Sequence, residues 1–348
     1  MSREIILFFS LFFLFSCEKT PVNGGSEGWN RVSERFEYKE DNQFYKVKLG
    51  RFSYDLKKNE IPLKKIMFLN ASLVAYVSEL GFEDRITGIS SPEYIYSESL
   101  QRRIKSGEIL NIGSEQKYDV EKIIKNKPDA IFSNYIETYE STYEVLRQNG
   151  IKIIFIDEFL ESKPLDKSAY LLLFGKLLGA EEHAFSVYNT IKKSYIATTQ
   201  LVAQDNVKPT VISSEVYGGF WYLPGGESNI ANFIKDANAK YILTDKETKS
   251  LPFSFEEVYS RAKSANIWVN AGNHTSKADL LNAFPNYKKM DVFNNGKIYA
   301  AIAREKGFAN DFYLSGQVRA DLVLKDYAAI FHPELFKGYR LYYLKEIN

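Results

Sequence analysis

The sequence predicts an α/β protein of two similar lobes, each built on a central parallel sheet, joined by one long, rigid α-helix. Three observations carry this. Short apolar runs alternate with helix-patterned segments over residues 65–156, the same alternation restarts after Pro209, and a stretch with almost no Gly or Pro stands between them. Apolar strands alternating with Gly-ended helices are the pattern of a parallel sheet covered on both faces. About 330 residues follow the N-terminal apolar run, more than a single core usually organises, so two domains are expected.

The chain begins with an apolar run ending in Leu14-Phe15-Ser16-Cys17, which resembles a lipobox. From Ile5 to Phe15 the run is about half of the roughly 20 residues a membrane-spanning helix needs, so it reads as a secretion segment behind Arg3. Residues 1–17 are therefore expected to be a lipoprotein signal peptide, with Cys17 the lipidated residue. An uncleaved anchor, or cleavage by ordinary signal peptidase with Cys17 left as a thiol, are the alternatives. Residues 18–35, polar and rich in Gly and Pro at their start, read as a flexible tether.

Residues 36–164 form the first expected lobe. Alternation in Phe44-Tyr45-Lys46-Val47-Lys48-Leu49 suggests a leading antiparallel hairpin. Strands are then expected at 65–70, 86–90, 130–133 and 152–156, with helices at 72–80, 120–126 and 139–148, the first and last ended by Gly81 and Gly150. Residues 165–205 are linking helices. A helix of about 24 residues from Glu181 would span roughly 36 Å at about 1.5 Å per residue, and Ala184, Val187, Tyr188, Ile191, Tyr195 and Ile196 recur mostly at spacings of three and four, the pattern of one buried face. Residues 206–348 form the second lobe, with strands at 210–213, 266–270 and 297–300 and helices at 228–237, 255–262, 277–282 and 314–331.

Composition narrows the function. With 45 Lys+Arg against 44 Asp+Glu and no long run of like charge, nucleic-acid binding is not expected. With Cys17 the only cysteine, an exported chain has no intrachain disulfide and depends on packed cores. The chain carries no Gly-x-Ser-x-Gly elbow, His-Glu-x-x-His, Walker sequence or cysteine nucleophile, so no enzyme and no cofactor is implied.

Several segments together resemble the periplasmic substrate-binding lipoproteins of ABC importers for iron–siderophore complexes, haem and cobalamin. They are Ile89-Ser-Ser-Pro-Glu-Tyr-Ile-Tyr96, Lys127-Pro-Asp-Ala-Ile-Phe132, Phe159-Leu-Glu-Ser-Lys-Pro-Leu165, Gly219-Phe-Trp-Tyr-Leu-Pro-Gly-Gly226 and Phe331-His-Pro-Glu-Leu335. The likeness spans about Pro62 to Leu344, and the last two segments are similar to a subgroup from the Bacteroidetes. It implies the class III periplasmic-binding-protein fold, two Rossmann-like lobes joined by a rigid helix, acting as a monomer that meets a permease dimer while anchored to the membrane. It also implies that one surface Glu on each lobe pairs with permease arginines; the matching positions are Glu140 and Glu256, with Glu144 and Glu257 as neighbours that could serve instead. Ordinary solvated glutamates are the plain alternative.

Ligands of open α/β sheets bind beyond the carboxyl ends of the strands. Those ends point to Asn70, Ser72, Ser91, Tyr94, Tyr96, Asn134 and Tyr135 in the first lobe and to Asn273, His274, Arg304 and Tyr313 in the second. Trp221, between Phe220 and Tyr222 and close to Tyr217, is expected on a loop at the cleft, where large rings stack on a planar or macrocyclic ligand. Arg304 suits carboxylate, catecholate or hydroxamate oxygens. The pair Gly225-Gly226 before Ser228 is either an anion-binding helix start or a plain turn. His183, His274 and His332 lie too far apart in the pattern for the His-rich cluster of bare-metal binders, so no metal site is expected. The expected ligand is a ferric siderophore, then cobalamin, then haem, which a Tyr could ligate axially. A lipid-anchored accessory protein uncoupled from any importer is the reading from another class.

Overall fold

The computed structural model describes residues 28–114 and 116–348. The lipidation assignment at Cys17 lies outside the described residues.

In the first lobe five parallel strands lie in the order Ile153–Phe155, Ala130–Ser133, Ile66–Phe68, Ile86–Ile89 and Leu110–Asn111. The three strands Ile66–Phe68, Ala130–Ser133 and Ile153–Phe155 are buried along their whole length, which is why they read as continuous apolar runs rather than alternating ones. The second lobe repeats the plan, with Lys240–Tyr241, Thr210–Ser213, Ile267–Val269 and Lys297–Ala300 parallel and Lys345–Glu346 added antiparallel at the edge.

The leading hairpin expected over 36–54 is larger, a four-stranded antiparallel sheet reaching from Asn30 to Lys57. Its alternation is clean in Phe44–Leu49, where Tyr45, Val47 and Leu49 face the lobe. The Tyr54 hydroxyl accepts from the backbone N–H of Phe155 at 2.7 Å and so caps the free edge of the lobe's outermost strand.

The helical linker is three helices, Pro164–Ser168, Tyr170–Leu178 and Glu181–Val202, with a break at Gly179, whose φ of +72° ends the second one. Glu181–Val202 runs from lobe to lobe: Ala184 and Ile191 are buried in the first lobe's core, Tyr195 and Val202 in the second's. The Tyr195 hydroxyl donates to Asp236 at 2.6 Å, fixing the second lobe to the helix. Further bonds tie the lobes at the linker side: Ser168 Oγ donates to Val318 O at 2.6 Å, Lys167 Nζ to Gln317 Oε1 at 3.1 Å, and Asn232 Nδ2 to Ser162 O at 3.0 Å. Arg319, held on Asp321, also reaches Glu79 across the lobes at 3.4 Å.

Candidate ligand-binding site

The strand ends of the first lobe are mostly bonded to one another. Asn70 Oδ1 accepts from the Ser72 N–H at 2.8 Å and hydroxyl at 2.7 Å, capping the turn after its strand, while its amide donates to Asn134. Asn134 in turn donates to Glu158 at 3.0 Å. Burial pushes the Glu158 carboxyl up to about 7, against the opposing pull of the Lys167 ammonium and the Asn134 hydrogen bond. Asn70 is thus committed to the lobe's own framework. Ser91, a second expected contact, is buried, with a φ of +47° that turns the chain into Pro92–Tyr94. Tyr94 is exposed.

Tyr135 packs against Phe52 and Phe155 at ring distances of 5.4 and 5.2 Å, and the Arg51 guanidinium lies 4.4 Å from its ring centre. A hydrogen bond to Glu140 raises the Tyr135 hydroxyl pKa, and the Arg147 and Tyr135 bonds hold the Glu140 carboxyl below its usual range. Arg147 is 2.7 Å from Glu140. Glu256, by contrast, is exposed near the start of its helix. Its neighbour Glu257 is engaged in the capping box with Ser254.

The second lobe presents its aromatic residues on hairpins. Gly218 and Gly219, with φ of +57° and +88°, form the two-residue turn between Val216–Tyr217 and Phe220–Pro224, a turn whose positive φ values favour Gly. Alternation along Phe220–Pro224 then sends Phe220 and Tyr222 outward and Trp221 inward. Tyr217 is 78% exposed, and Trp221 is 0% exposed. The expectation that Trp221 stacks on a ligand is therefore corrected. Its indole lies 5.2 Å from Trp268 and 5.4 Å from Tyr287, and its N–H donates to Ser213 O at 2.9 Å. The segment is a strand rather than a loop, and a strand buries every second side chain.

The anion-binding alternative at Gly225-Gly226 is also set aside. Gly226 N–H donates to the Asp245 carboxylate at 3.0 Å and Gly225 N–H to Lys249 O at 3.0 Å, so this is a turn folded onto its own chain. Ser228 caps the following helix, accepting from Ala231 N–H at 3.2 Å.

Beyond the second lobe's strand ends lie a His274–Glu215 pair at 2.6 Å and the exposed Tyr313. Glu215 was not legible in the sequence. Only the folded chain shows how closely it packs on Gly272, where a Cβ would come within 2.2 Å of the Glu215 carboxylate. Arg304 bonds Asp311 through Nε at 2.6 Å, and its guanidinium sits between Tyr96 of the first lobe and Tyr342 of the second, 4.9 and 4.4 Å from their ring centres. Burial opposes its charge, but the Asp311 carboxylate more than offsets this and raises the Arg304 pKa.

Around Arg304 the two lobes line a solvent-open cavity of about 480 Å³, with Ser78, Glu79, Tyr96 and Glu98 on one wall and Lys306 and Tyr342 on the other. This volume lies within the usual range for small-molecule sites. Among the described residues no group of three or more His, Cys, Asp or Glu could hold a metal ion, and no helix is long and apolar enough to cross a membrane. What the surface offers is aromatic faces, the guanidinium groups of Arg304 and Arg51 against tyrosine rings and a few polar groups, a set suited to binding.

Comparison with known proteins agrees with this architecture. A family model described as periplasmic binding protein matches residues 66–304. An uncharacterised lipoprotein of Methanocaldococcus jannaschii is 23% identical over 313 residues, 87% of this chain and 72% of that protein. A periplasmic heme binding protein from Pseudomonas aeruginosa superposes with a TM-score of 0.61 at 17% identity, covering 82% of this chain and 98% of the other. Helicobacter pylori CeuE with Ni(II) bound gives 0.62 at 17% identity, covering 85% and 91%. At these identities the likeness between structures is one of fold.

Proposed function

The chain belongs to the periplasmic binding protein family, and on that premise we propose that it is the lipid-anchored solute-binding component of an ABC importer, of the Bacteroidetes lipoprotein type, that captures a ferric siderophore between its lobes and hands it to a permease dimer. The observation that carries the ligand class is Arg304, a guanidinium 4.9 and 4.4 Å from the ring centres of Tyr96 and Tyr342 and lining an inter-lobe cavity. Such a group pairs with the anionic oxygens of catecholate or hydroxamate ligands while the rings contact their apolar parts. Tyr217, Phe220, Tyr222, Tyr94 and Tyr313 supply further exposed rings. Lipidation at Cys17 places the protein at the cell envelope facing the periplasm, and Glu140 and Glu256 meet the permease.

Calorimetric titration of the chain from Glu18 onward against ferric catecholate and hydroxamate siderophores, cobalamin and haem tests the reading. One siderophore class is expected to bind with micromolar or tighter Kd, weakened at least tenfold, about 1.4 kcal/mol, by Arg304→Ala. Binding of cobalamin or haem alone would replace the ligand and keep the importer role. Binding without any transport would favour the accessory protein.

A further inference from the structure

We infer that the hairpin Glu305–Asn310 of the second lobe is a latch that closes one edge of the inter-lobe cleft on the first lobe, through a Lys306–Glu98 ion pair and the Arg304–Tyr96 stack. Two short strands, Glu305–Lys306 and Ala309–Asn310, pair around a Gly307-Phe308 turn in which Gly307 has a φ of +58°. Asn310 anchors the base, donating to Ala301 O at 2.7 Å and accepting from Phe312 N–H at 3.0 Å. From this anchored base Lys306 reaches Glu98 at the start of the helix Glu98–Lys105, and its ammonium lies 5.1 Å from the centre of the Tyr96 ring. Arg304 shares that ring at 4.9 Å. Tyr96 is thus contacted by two cations of the opposite lobe. Phe308 at the tip is 77% exposed, so the hairpin is held by these contacts and by its base rather than by burial of its tip.

The position of the latch gives it a role. The bonds at the linker side, such as Ser168 to Val318, are short hydrogen bonds beside the rigid helices. The latch contacts lie on the strand-end side: the Lys306 and Glu98 side chains are exposed, 51% and 72% accessible, while Arg304 and Tyr96 are half-buried. Exposed ion pairs and cation–π contacts are individually weak and the former are screened by salt, so they bias an equilibrium between closed and open cleft rather than fix it. Arg304, Lys306, Tyr96 and Glu98 all line the cavity of about 480 Å³, so opening the latch enlarges it. The latch therefore sets which ligands enter without the lobes parting. This last step rests on the ligand-binding reading above, whereas the latch itself rests on the contacts.

The test uses the full chain with Cys17→Ala and two spin labels, introduced at the exposed positions Glu144→Cys and Ser260→Cys, one on each lobe. Inter-lobe distance distributions are compared for the parent, Lys306→Glu, Glu98→Lys and the double exchange. Each single reversal is expected to lengthen and broaden the distribution, 1 M salt to do the same to the parent, and the double exchange to restore it. Unchanged distributions in both single variants, or failure of a folded double exchange to restore the parent distribution, would overturn the latch. Because no ligand enters the measurement, failure of the siderophore reading leaves its outcome untouched.

Discussion

The two lobes share a sheet plan but use their strand ends differently. In the first lobe the polar groups at those ends bond inward: Asn70 to Asn134, Asn134 to Glu158, and Ser90 Oγ to Leu69 O at 2.7 Å. In the second, hairpins carry Tyr217, Phe220, Tyr222 and Phe308 out into solvent. A surface whose hydrogen bonds are satisfied internally is a rigid floor, because breaking them to meet a ligand costs the desolvation of each group. A surface of projecting rings offers contact area at little such cost. The difference teaches that, on the proposed ligand-binding reading, the second lobe would supply most of the contact surface, with the exposed Tyr94 as part of the first lobe's share.

That asymmetry can be broken at several points. The largest effect is expected at the docking surface, where charge reversal at both Glu140 and Glu256 abolishes uptake while calorimetric affinity stays intact. Single reversals sharpen the contrast: Glu140 is already paired with Arg147, so Glu256 alone is expected to be the more damaging. Normal uptake in the double variant would remove the docking assignment.

Next comes Trp221→Ala, which empties a fully buried site beside Trp268 and Tyr287. It is expected to cost about 3–5 kcal/mol in denaturant unfolding. A loss of ligand affinity without a loss of stability would instead return Trp221 to the cleft.

The first lobe's floor is expected to show in pH dependence. The Glu158 pKa is raised to about 7 in the folded chain from an ordinary 4.5, so between these values the folded state binds more protons than the unfolded one. Stability should then be fullest below about pH 4.5 and decline as pH rises to about 7, by on the order of 3 kcal/mol from this group. Glu158→Gln should flatten that part of the profile in thermal unfolding from pH 4.5 to 8; an unchanged slope would assign it to other groups.

The smallest effects separate the lobes most directly. Asn70→Ala should lower stability by about 1 kcal/mol through its lost cap, with affinity changing only as stability does. Tyr217→Ala should leave the melting temperature unchanged and weaken ligand binding several-fold in the same calorimetric assay. The reverse pattern would exchange the roles given to the two faces.

Much of the scaffold was legible because it is written in local pattern. The buried runs Ile66–Phe68, Ala130–Ser133 and Ile267–Val269 and the long helix Glu181–Val202 all lie within a residue or a few of their expected positions. Two-residue strands such as Leu110–Asn111 and Glu305–Lys306 were missed because so short a segment has no period to read. The helix Glu98–Lys105 was missed because it buries only Leu100 and carries mostly polar residues.

Sequence by itself therefore determined the two sheets and the helix between them, since these follow from apolar period and glycine placement along neighbouring residues. Only the tertiary structure decided which side chains at the strand ends and hairpins face solvent. Tyr222 and Trp221 are adjacent and similar in kind, yet packing against Trp268 and Tyr287, residues of later elements, draws one inward and leaves the other in solvent. Lys306 and Glu98 stand 208 positions apart, and no local pattern joins them. Contacts at such separations are set by how two finished lobes meet, and that meeting decides the cavity around Arg304 and the latch beside it.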